Sequence, residues 1–182
     1  MRDSCRLARA GTPGAGSTDE PRAHVIGAGE LRVSDDPAAR LTIHALGSCL
    51  GVAVYDPSAR VGGLLHAALP LSSADPDRAA RAPGTFVDTG VPVLFRECYR
   101  LGARKDRMIV TVAGGASAAG DDAEDGFQIG RRNLVVLRKL LWKNAVLVHA
   151  QDVGGSHVWR TISLAIDTGR VSLRTNGAER TL

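Results

Sequence analysis

The apolar positions of the chain fall mainly into short runs that are typical of buried strands. The two clearest runs, residues 41–46 and 50–55, contain β-branched residues and flank the small-residue segment 47–49. A third run, residues 61–69, follows a turn at residues 56–58. Short apolar runs bounded by turn residues are typical of strands inside a sheet. We therefore predict three successive strands with a tight corner between the first two.

Amphipathic helices and further strands complete the predicted pattern. In residues 85–101 the apolar side chains recur at intervals of three and four, which places them on one face of a helix. Residues 129–144 carry leucines on one face and basic side chains on the other, so a second helix is predicted there. Residues 24–33 are predicted to form short strands broken at 27–29, and 107–112 and 145–148 one strand each. Residues 159–167 and 170–173 are predicted to form a closing hairpin around 168–169.

The order of these elements indicates the fold class. Strands and helices do not alternate regularly, which favours an α+β layered sandwich with a mixed or antiparallel sheet covered by helices. The domain is predicted to span residues 23–174. Residues 1–22 are rich in Gly, Ala, Ser, Arg and Pro and are expected to form a disordered extension. Residues 71–82 are expected to form a surface loop, and residues 175–182 a frayed terminus.

Composition narrows the classes of function. The 182-residue chain has a net charge of +4, scattered arginines and only 4% aromatic residues, so nucleic-acid binding is not expected. No apolar run approaches the ~20 residues that cross a bilayer, so direct membrane insertion is not expected either. Cys5, Cys49 and Cys98 show no C-x-x-C spacing, which argues against disulfides and zinc and favours the cytoplasm. The acidic segment 121–125 is interpreted as a solvated loop rather than a cation site.

The corner between the first two strands carries the candidate chemistry. Cys49 follows Gly47 and Ser48, whose backbone N–H groups could stabilise an oxyanion beside a thiol nucleophile. His66 lies in the next strand and is the candidate base, within hydrogen-bonding reach of the thiol. A packed core cysteine and a satisfied core histidine remain the alternative interpretation. Strand alternation alone does not decide whether His44 also reaches the thiol.

Ordered motifs along residues 24–171 make the chain resemble the CheD family, the chemoreceptor glutamine deamidases of bacterial and archaeal chemotaxis. The motifs are Leu46-Gly47-Ser48-Cys49, Val52-Ala53-Val54-Tyr55-Asp56, Gly62-Gly63 with His66, Leu69-Pro70, Gly114-Gly115-Ala116, Ile129-Gly130-Arg131-Arg132-Asn133 and Asp152-Val153-Gly154-Gly155. Several motifs in the expected order make the resemblance specific.

The resemblance implies a fold, an activity and partners. The fold would be a three-layer sandwich similar to the catalytic domains of deamidating bacterial toxins. Cys49 would be the nucleophile and His66 the base of a hydrolase that converts glutamines of methyl-accepting chemotaxis receptors to glutamates. No metal or organic cofactor is implied. A CheC-type phosphatase of the chemotaxis response regulator would be a second partner.

The chain departs from the family pattern in two places. The family has a threonine six residues before the cysteine, where this chain has Ile43, with Thr42 one place away. Ile43, Thr42 and His44 are therefore candidates for lining the site. The family's Asp-x-Gly-Gly-x-x-Gly-Arg ends here in residues 156–159, without its last Gly and Arg. These departures support a rival interpretation, a binding module that docks a chemotaxis phosphatase or receptor without turnover.

Overall fold

The structure is a computed structural model that describes residues 22–117 and 128–182. The predicted N-terminal extension, with Cys5, lies outside the described residues except for Arg22, which begins a strand. The acidic segment 121–125 lies outside them as well.

The described residues form ten strands and three α-helices. The strands are β1 (Arg22–Val25), β2 (Leu31–Ser34), β3 (Ala39–Leu46), β4 (Leu50–Asp56), β5 (Val61–Ala67), β6 (Ile109–Gly114), β7 (Ala150–Val153), β8 (Arg160–Ala165), β9 (Val171–Thr175) and β10 (Ala178–Thr181). The α-helices are α1 (Pro76–Arg81), α2 (Val87–Arg100) and α3 (Ile129–Lys143), and short 3-10 turns occupy Ser72–Ala74, Pro83–Thr85 and Lys105–Arg107. Within this part of the chain, no helix is long and apolar enough to cross a membrane.

The strands form two mixed five-stranded sheets. The first, here called the outer sheet, has the order β1-β3-β8-β9-β10, with β1 and β3 parallel. The second, the central sheet, has the order β2-β5-β4-β6-β7, with β6 and β7 parallel. All other neighbouring strands are antiparallel. The α+β class is thus confirmed, with two sheets in place of the single predicted one.

Two apolar clusters hold three layers together. An inter-sheet cluster joins the outer sheet to one face of the central sheet, and includes Leu41, Ile43, Ile162, Leu164, Ala53 and Leu64. A helix-side cluster joins the other face of the central sheet to α2 and α3, and includes Val52, Leu65, Leu94, Phe95, Leu137 and Leu141. Because both of its faces are covered, the central sheet buries β4 and β5 along their full length. This double burial explains why both strands are continuous apolar runs in the sequence.

Both predicted amphipathic helices are confirmed as α2 and α3, but three other local predictions need correction. A strand was expected at residues 145–148, but the strand of this region, β7, begins at Ala150, where the parallel pairing with β6 starts. The segment 71–82 contains α1, whose first turn is capped by the Asp75 carboxylate accepting from Arg78 N.

The terminus at 175–182 was expected to fray, and this prediction is wrong. Strand β10 pairs with β9 in antiparallel register from Ala178 to Thr181. The connection is Asn176-Gly177, where both residues have positive φ, the geometry of a type I′ hairpin turn. An Asn-Gly pair is itself a hairpin signal, so the sequence contained the information.

Asp56 anchors the turn between β4 and β5. Its side chain is fully buried and accepts hydrogen bonds from the backbone N–H groups of Ser58, Ala59 and Arg104 at 2.8–3.1 Å. The Arg107 guanidinium pairs with it at 2.8 Å. Burial raises the pKa of Asp56, but these hydrogen bonds outweigh burial, and the pKa falls to about 2.

Replacing Asp56 with Ala should lower the free energy of unfolding by about 2 kcal/mol at neutral pH, because several donors lose their acceptor. Chemical denaturation at several pH values measures this. The Asp56 pKa of about 2 lies below the ordinary 3.8, so the carboxylate stabilises the fold above pH 3.8 and loses that effect as the pH falls toward 2. The difference in unfolding free energy between wild type and variant should therefore shrink over the same pH range.

Asp106→Ala is the matched control, because the Asp106–Arg104 pair is exposed on both sides. Its effect should stay within about 0.5 kcal/mol. Equal losses in the two variants would contradict the anchoring role of Asp56.

Candidate active site at the Cys49 corner

A bulge in β3 shapes the entry to the corner. The β3–β8 register shifts between Ile43 and Leu46, and Ala45 has a φ of 54°. Strict alternation is broken, so Ile43 and Leu46 are both buried in the inter-sheet cluster while His44 is exposed.

Thr42 and His44 lie on the opposite face of the outer sheet from Cys49. Both line a shallow cavity of about 310 Å³ on that outward face. The Thr42 hydroxyl is hydrogen bonded to the Ser163 hydroxyl at 2.9 Å. Of the three residues considered as site-lining candidates, only Ile43 faces the layer that contains Cys49, and the inclusion of Thr42 and His44 is corrected.

Each carbonyl of the corner accepts a hydrogen bond from a part of the chain that is distant in sequence. Gly47 O accepts from Ala116 N at 2.9 Å, and Cys49 O accepts from Gly115 N at 2.9 Å. Ser48 O accepts from the Asn133 side-chain amide at 3.1 Å. In contrast, within the described ranges no N–H of residues 47–49 donates to a carbonyl or side-chain oxygen. The three N–H groups are therefore available to an incoming acceptor.

Gly114 permits the strand β6 to pass close behind the corner. Its φ is 107°, and a Cβ at this position would collide with the carbonyl oxygen of Cys49. Only glycine accommodates both the positive φ and this close approach. The corner backbone is thus held rigidly against the end of β6.

The Cys49 thiol is half-buried and packs against the inter-sheet cluster. Burial raises the pKa of Cys49, and a contact with its own backbone N–H lowers it to a smaller extent. Cys98 is fully buried among apolar side chains, and burial raises its pKa to about 12. Of these two thiols, Cys49 is the one that a reagent or substrate reaches.

His66 lies on β5, opposite Gly51 of β4, and is 8% exposed. Alternation along β5 places it on the same face as Leu64, toward the outer sheet. Burial lowers the pKa of His66, partly offset by the Ile26 carbonyl and by Glu30, so the imidazole is neutral at pH 7. Its Nδ1 lies 3.3 Å from Ile26 O. Because a carbonyl only accepts, Nδ1 carries the proton and Nε2 is left as the basic nitrogen.

Cys49 and His66 share one face of the central sheet. Cys49 precedes Gly51 by two positions, and Gly51 pairs with His66, so the two residues are diagonal neighbours across adjacent chain segments. The expected hydrogen bond between them is not formed among the residues that the structure describes. Together with the two pKa shifts, this indicates a neutral thiol beside a neutral imidazole rather than a preformed ion pair.

An arginine, Arg160, lies one position after the place where the family motif has its last Arg. Arg160 is 5% exposed; it binds Asp152 through Nε at 2.8 Å and the Gly154 carbonyl at 2.9 Å. Burial raises the pKa of Asp152, but bonds from Arg160 and Arg180 outweigh burial and lower it. His157, with a φ of 53°, lies in the loop that leads to Arg160. Although residues 156–159 differ from the family motif, the chain that follows them still places an arginine against Asp152.

Trp159 lies at the rim of the corner and was not identified from the sequence as a site residue. Its side chain is 64% exposed, and a Cβ built on Gly47 would be 3.1 Å from its ring. Exposed Trp side chains are enriched at protein interfaces, because the indole combines a large apolar surface with a polar N–H. The position of Trp159 could not be read from the sequence, because it depends on the packing of the β8 entry against the corner.

Comparisons with known proteins identify related chains. The profile of the family described as "CheD chemotactic sensory transduction" matches residues 68–175. "Probable chemoreceptor glutamine deamidase CheD 1" of Syntrophus aciditrophicus is 48% identical over 153 residues, which are 84% of this chain and 94% of that protein. "Probable chemoreceptor glutamine deamidase CheD 2" of Anaeromyxobacter dehalogenans is 46% identical, over 82% of this chain and 92% of that protein. The crystal structure of the hypothetical protein YfiH of Bacillus licheniformis aligns with a TM-score of 0.41 at 14% identity, covering 78% of this chain and 61% of that one.

In a Cys5→Ser background, iodoacetamide should label Cys49 and spare Cys98 in the folded protein. The Cys49 rate should keep rising above pH 9.0, because burial raises the thiol pKa above that value. Mass spectrometry of quenched samples gives both rates. Cys49→Ala in the same background is the control and should remove the fast label. A Cys49 rate that levels off near neutral pH would contradict the neutral-thiol description.

Proposed function

The chain belongs to the CheD family, and we propose that it is a chemoreceptor glutamine deamidase that uses Cys49 as its nucleophile. The observation that carries the proposal is the corner itself. A half-buried thiol stands beside backbone N–H groups of residues 47–49 that donate to no oxygen among the described residues, and His66 lies on the same face of the central sheet as Cys49. The sequence identity to the named deamidases extends over most of the chain.

The proposed reaction proceeds in two halves. The Cys49 sulfur attacks the carboxamide carbon of a receptor glutamine while Nε2 of His66 takes the thiol proton. The oxyanion of the tetrahedral intermediate is stabilised by N–H groups of Gly47, Ser48 and Cys49. The imidazolium then protonates the amide nitrogen of the intermediate, the C–N bond breaks, and ammonia departs to leave a thioester. Water, deprotonated by His66, attacks that thioester and releases glutamate and the free thiol.

The thiol and imidazole exchange their proton only when substrate is bound. In the free protein burial disfavours both the thiolate and the imidazolium, as the two pKa shifts indicate. Apo enzymes commonly hold catalytic groups too far apart for a hydrogen bond, which tightens in the substrate complex. Binding of the substrate glutamine side chain at the corner therefore brings the Cys49 thiol and the His66 imidazole into hydrogen-bonding contact.

The Ile26 carbonyl takes the orienting role for the base. Ile43 occupies the position of the family threonine and offers no polar group, while Thr42 is bonded to Ser163 on the far face of the sheet. The bond between Nδ1 of His66 and Ile26 O sets the tautomer that catalysis requires. Replacement of the threonine by Ile43 is therefore compatible with activity.

The proposal extends to substrate, partners and location. Deamidation adds a carboxylate to a receptor helix and creates a methylation site, so the enzyme adjusts receptor signalling in the cytoplasm. Trp159 contacts the receptor segment beside the glutamine. A CheC-type phosphatase is a second partner, and the chemistry needs no metal or organic cofactor. The layered fold is proposed to be similar to the catalytic domains of deamidating toxins.

Ammonia release from a receptor fragment tests the assignment. Cys49→Ala should abolish turnover, and His66→Asn should lower kcat by about 100-fold or more, because the proton acceptor is lost. His44→Asn is the matched control and should keep activity within about twofold, since His44 is exposed on the outer sheet.

The other outcomes separate the rival functions. A wild-type chain that binds the fragment as tightly as Cys49→Ala, with no turnover in either, would establish the binding module. Equal turnover of free glutamine analogues and of the receptor fragment would instead indicate a general thiol amidohydrolase.

The pH dependence of kcat/KM should reveal the lowered pKa of His66. Only the neutral imidazole accepts the thiol proton, so activity falls as the pH drops through that pKa. Burial lowers it below the ordinary 6.5, and the midpoint of the acid limb should therefore lie below pH 6.5. Initial rates at low substrate across pH 4–8 measure it, with the Asp56-dependent unfolding range excluded by circular dichroism. An acid midpoint above 6.5 would contradict the neutral-base description.

A further inference from the structure

Asn133 is a fully buried polar side chain on α3 that the reaction described above does not use. One N–H of its amide donates to Ser48 O and the other to Ala68 O, both at 3.1 Å. Since both partners are carbonyls, the amide nitrogen must face them. A single side chain thus bridges the corner that carries Cys49 and the segment that follows β5.

The bridge connects the two halves of the active site. Ser48 directly precedes Cys49, and Ala68 follows His66 by two residues. Ala68 itself is held in place, because its N–H and that of Leu69 both donate to Thr85 O at 2.9 Å. Asn133 therefore ties the position of the nucleophile to the strand that carries the base.

The bond to Ser48 O also sets the direction of an oxyanion donor. The Ser48 carbonyl and the Cys49 N–H belong to one planar trans peptide, in which they point in opposite directions. The bond to Asn133 points the Ser48 carbonyl toward α3, so the Cys49 N–H points away from α3. On that side it meets no oxygen of the described residues. Because the peptide is rigid, fixing the Ser48 carbonyl also fixes the Cys49 N–H.

The start of α3 is seated against the same region. A Cβ at Gly130 would collide with the carbonyl oxygen of Ala116, so the helix lies directly on the segment whose N–H groups hold Gly47 O and Cys49 O. This close seating leaves Asn133 little freedom to move relative to the corner.

Packing alone does not account for an amide at this position. The Asn133 Oδ1 is buried and has no hydrogen-bond partner among the residues that the structure describes. Such an acceptor disfavours folding relative to an apolar side chain of similar size. An orphaned buried acceptor indicates that the amide is retained for the bonds made by its nitrogen.

We propose that Asn133 is a positioning residue for deamidation, which holds the Ser48–Cys49 peptide so that the Cys49 N–H points at the developing oxyanion. The inference rests on the proposed function. Loss of the bridge should weaken stabilisation of the tetrahedral intermediate while leaving the thiol itself intact.

Asn133→Leu separates these two effects. The kcat for ammonia release from the receptor fragment should fall by about 10- to 100-fold, with KM within about twofold. The rate of Cys49 alkylation by iodoacetamide should stay within about twofold, because displacement of iodide by sulfur forms no oxyanion. Asn144→Leu is the matched control, since Asn144 also donates to a carbonyl of α3, Leu140 O, but at the far end of the helix. It should leave both rates unchanged.

Thermal unfolding of each variant gives the folded fraction to which the rates are referred. If Asn133→Leu does not fold, Asn133→Ser provides the test, because its short hydroxyl cannot bridge two carbonyls, and a kcat loss of about 10-fold is expected. An unchanged kcat in a folded variant, or equal losses of turnover and alkylation, would overturn the positioning role alone. A wild-type chain that is alkylated but releases no ammonia would instead overturn the deamidase function and this role with it.

Discussion

Three carbonyl groups in a row, from Gly47 to Cys49, are held by donors that come from distant parts of the chain. Ala116 and Gly115 supply backbone N–H groups from the end of β6, and Asn133 supplies a side-chain amide from α3. Because each peptide unit is planar, these bonds also orient the N–H groups on the other side of the corner. The geometry of the candidate site depends on this arrangement more than on any direct contact between the thiol and the imidazole.

The layered architecture holds this polar corner in place within an otherwise apolar setting. The central sheet is covered by the outer sheet on one face and by helices on the other, so β4 and β5 are buried along their full length. The chain leaves the outer sheet at the end of β3, crosses to the central sheet, and presents Cys49 at the crossing. Half-burial there raises the pKa of the thiol and lowers that of the imidazole, which favours the neutral form of both groups.

The two departures from the family pattern lie beside polar contacts that the motifs do not include. Ile43 supplies no hydroxyl, yet the Ile26 carbonyl orients the His66 ring. The segment after Gly155 is altered, yet Arg160 still reaches Asp152 and the Gly154 carbonyl. Both contacts use groups whose positions follow from strand pairing, β1 with β3 and β3 with β8. A comparison of motifs position by position does not detect them.

Local patterns in the sequence predicted most of the elements and pointed to Cys49 and His66 as the candidate pair. Apolar periodicity predicted both long helices and the strands that flank the corner, because burial on one or two faces leaves a regular signature. It did not reveal the hairpin at Asn176-Gly177, although the turn signal was present.

Only the tertiary structure decided which sheet each strand joins and which way each polar side chain points. The β3 bulge turns Leu46 to the same buried side as Ile43 while His44 stays on the outer surface, and a one-residue irregularity of this kind has no signature in hydrophobic periodicity. The bridge from Asn133 to Ser48 and Ala68 spans 85 and 65 residues of sequence. The sequence by itself therefore determined the class of fold and the chemical groups available, because these follow from local pattern and residue type. Their alignment depended on long-range packing, which brings together carbonyls and donors that are remote along the chain.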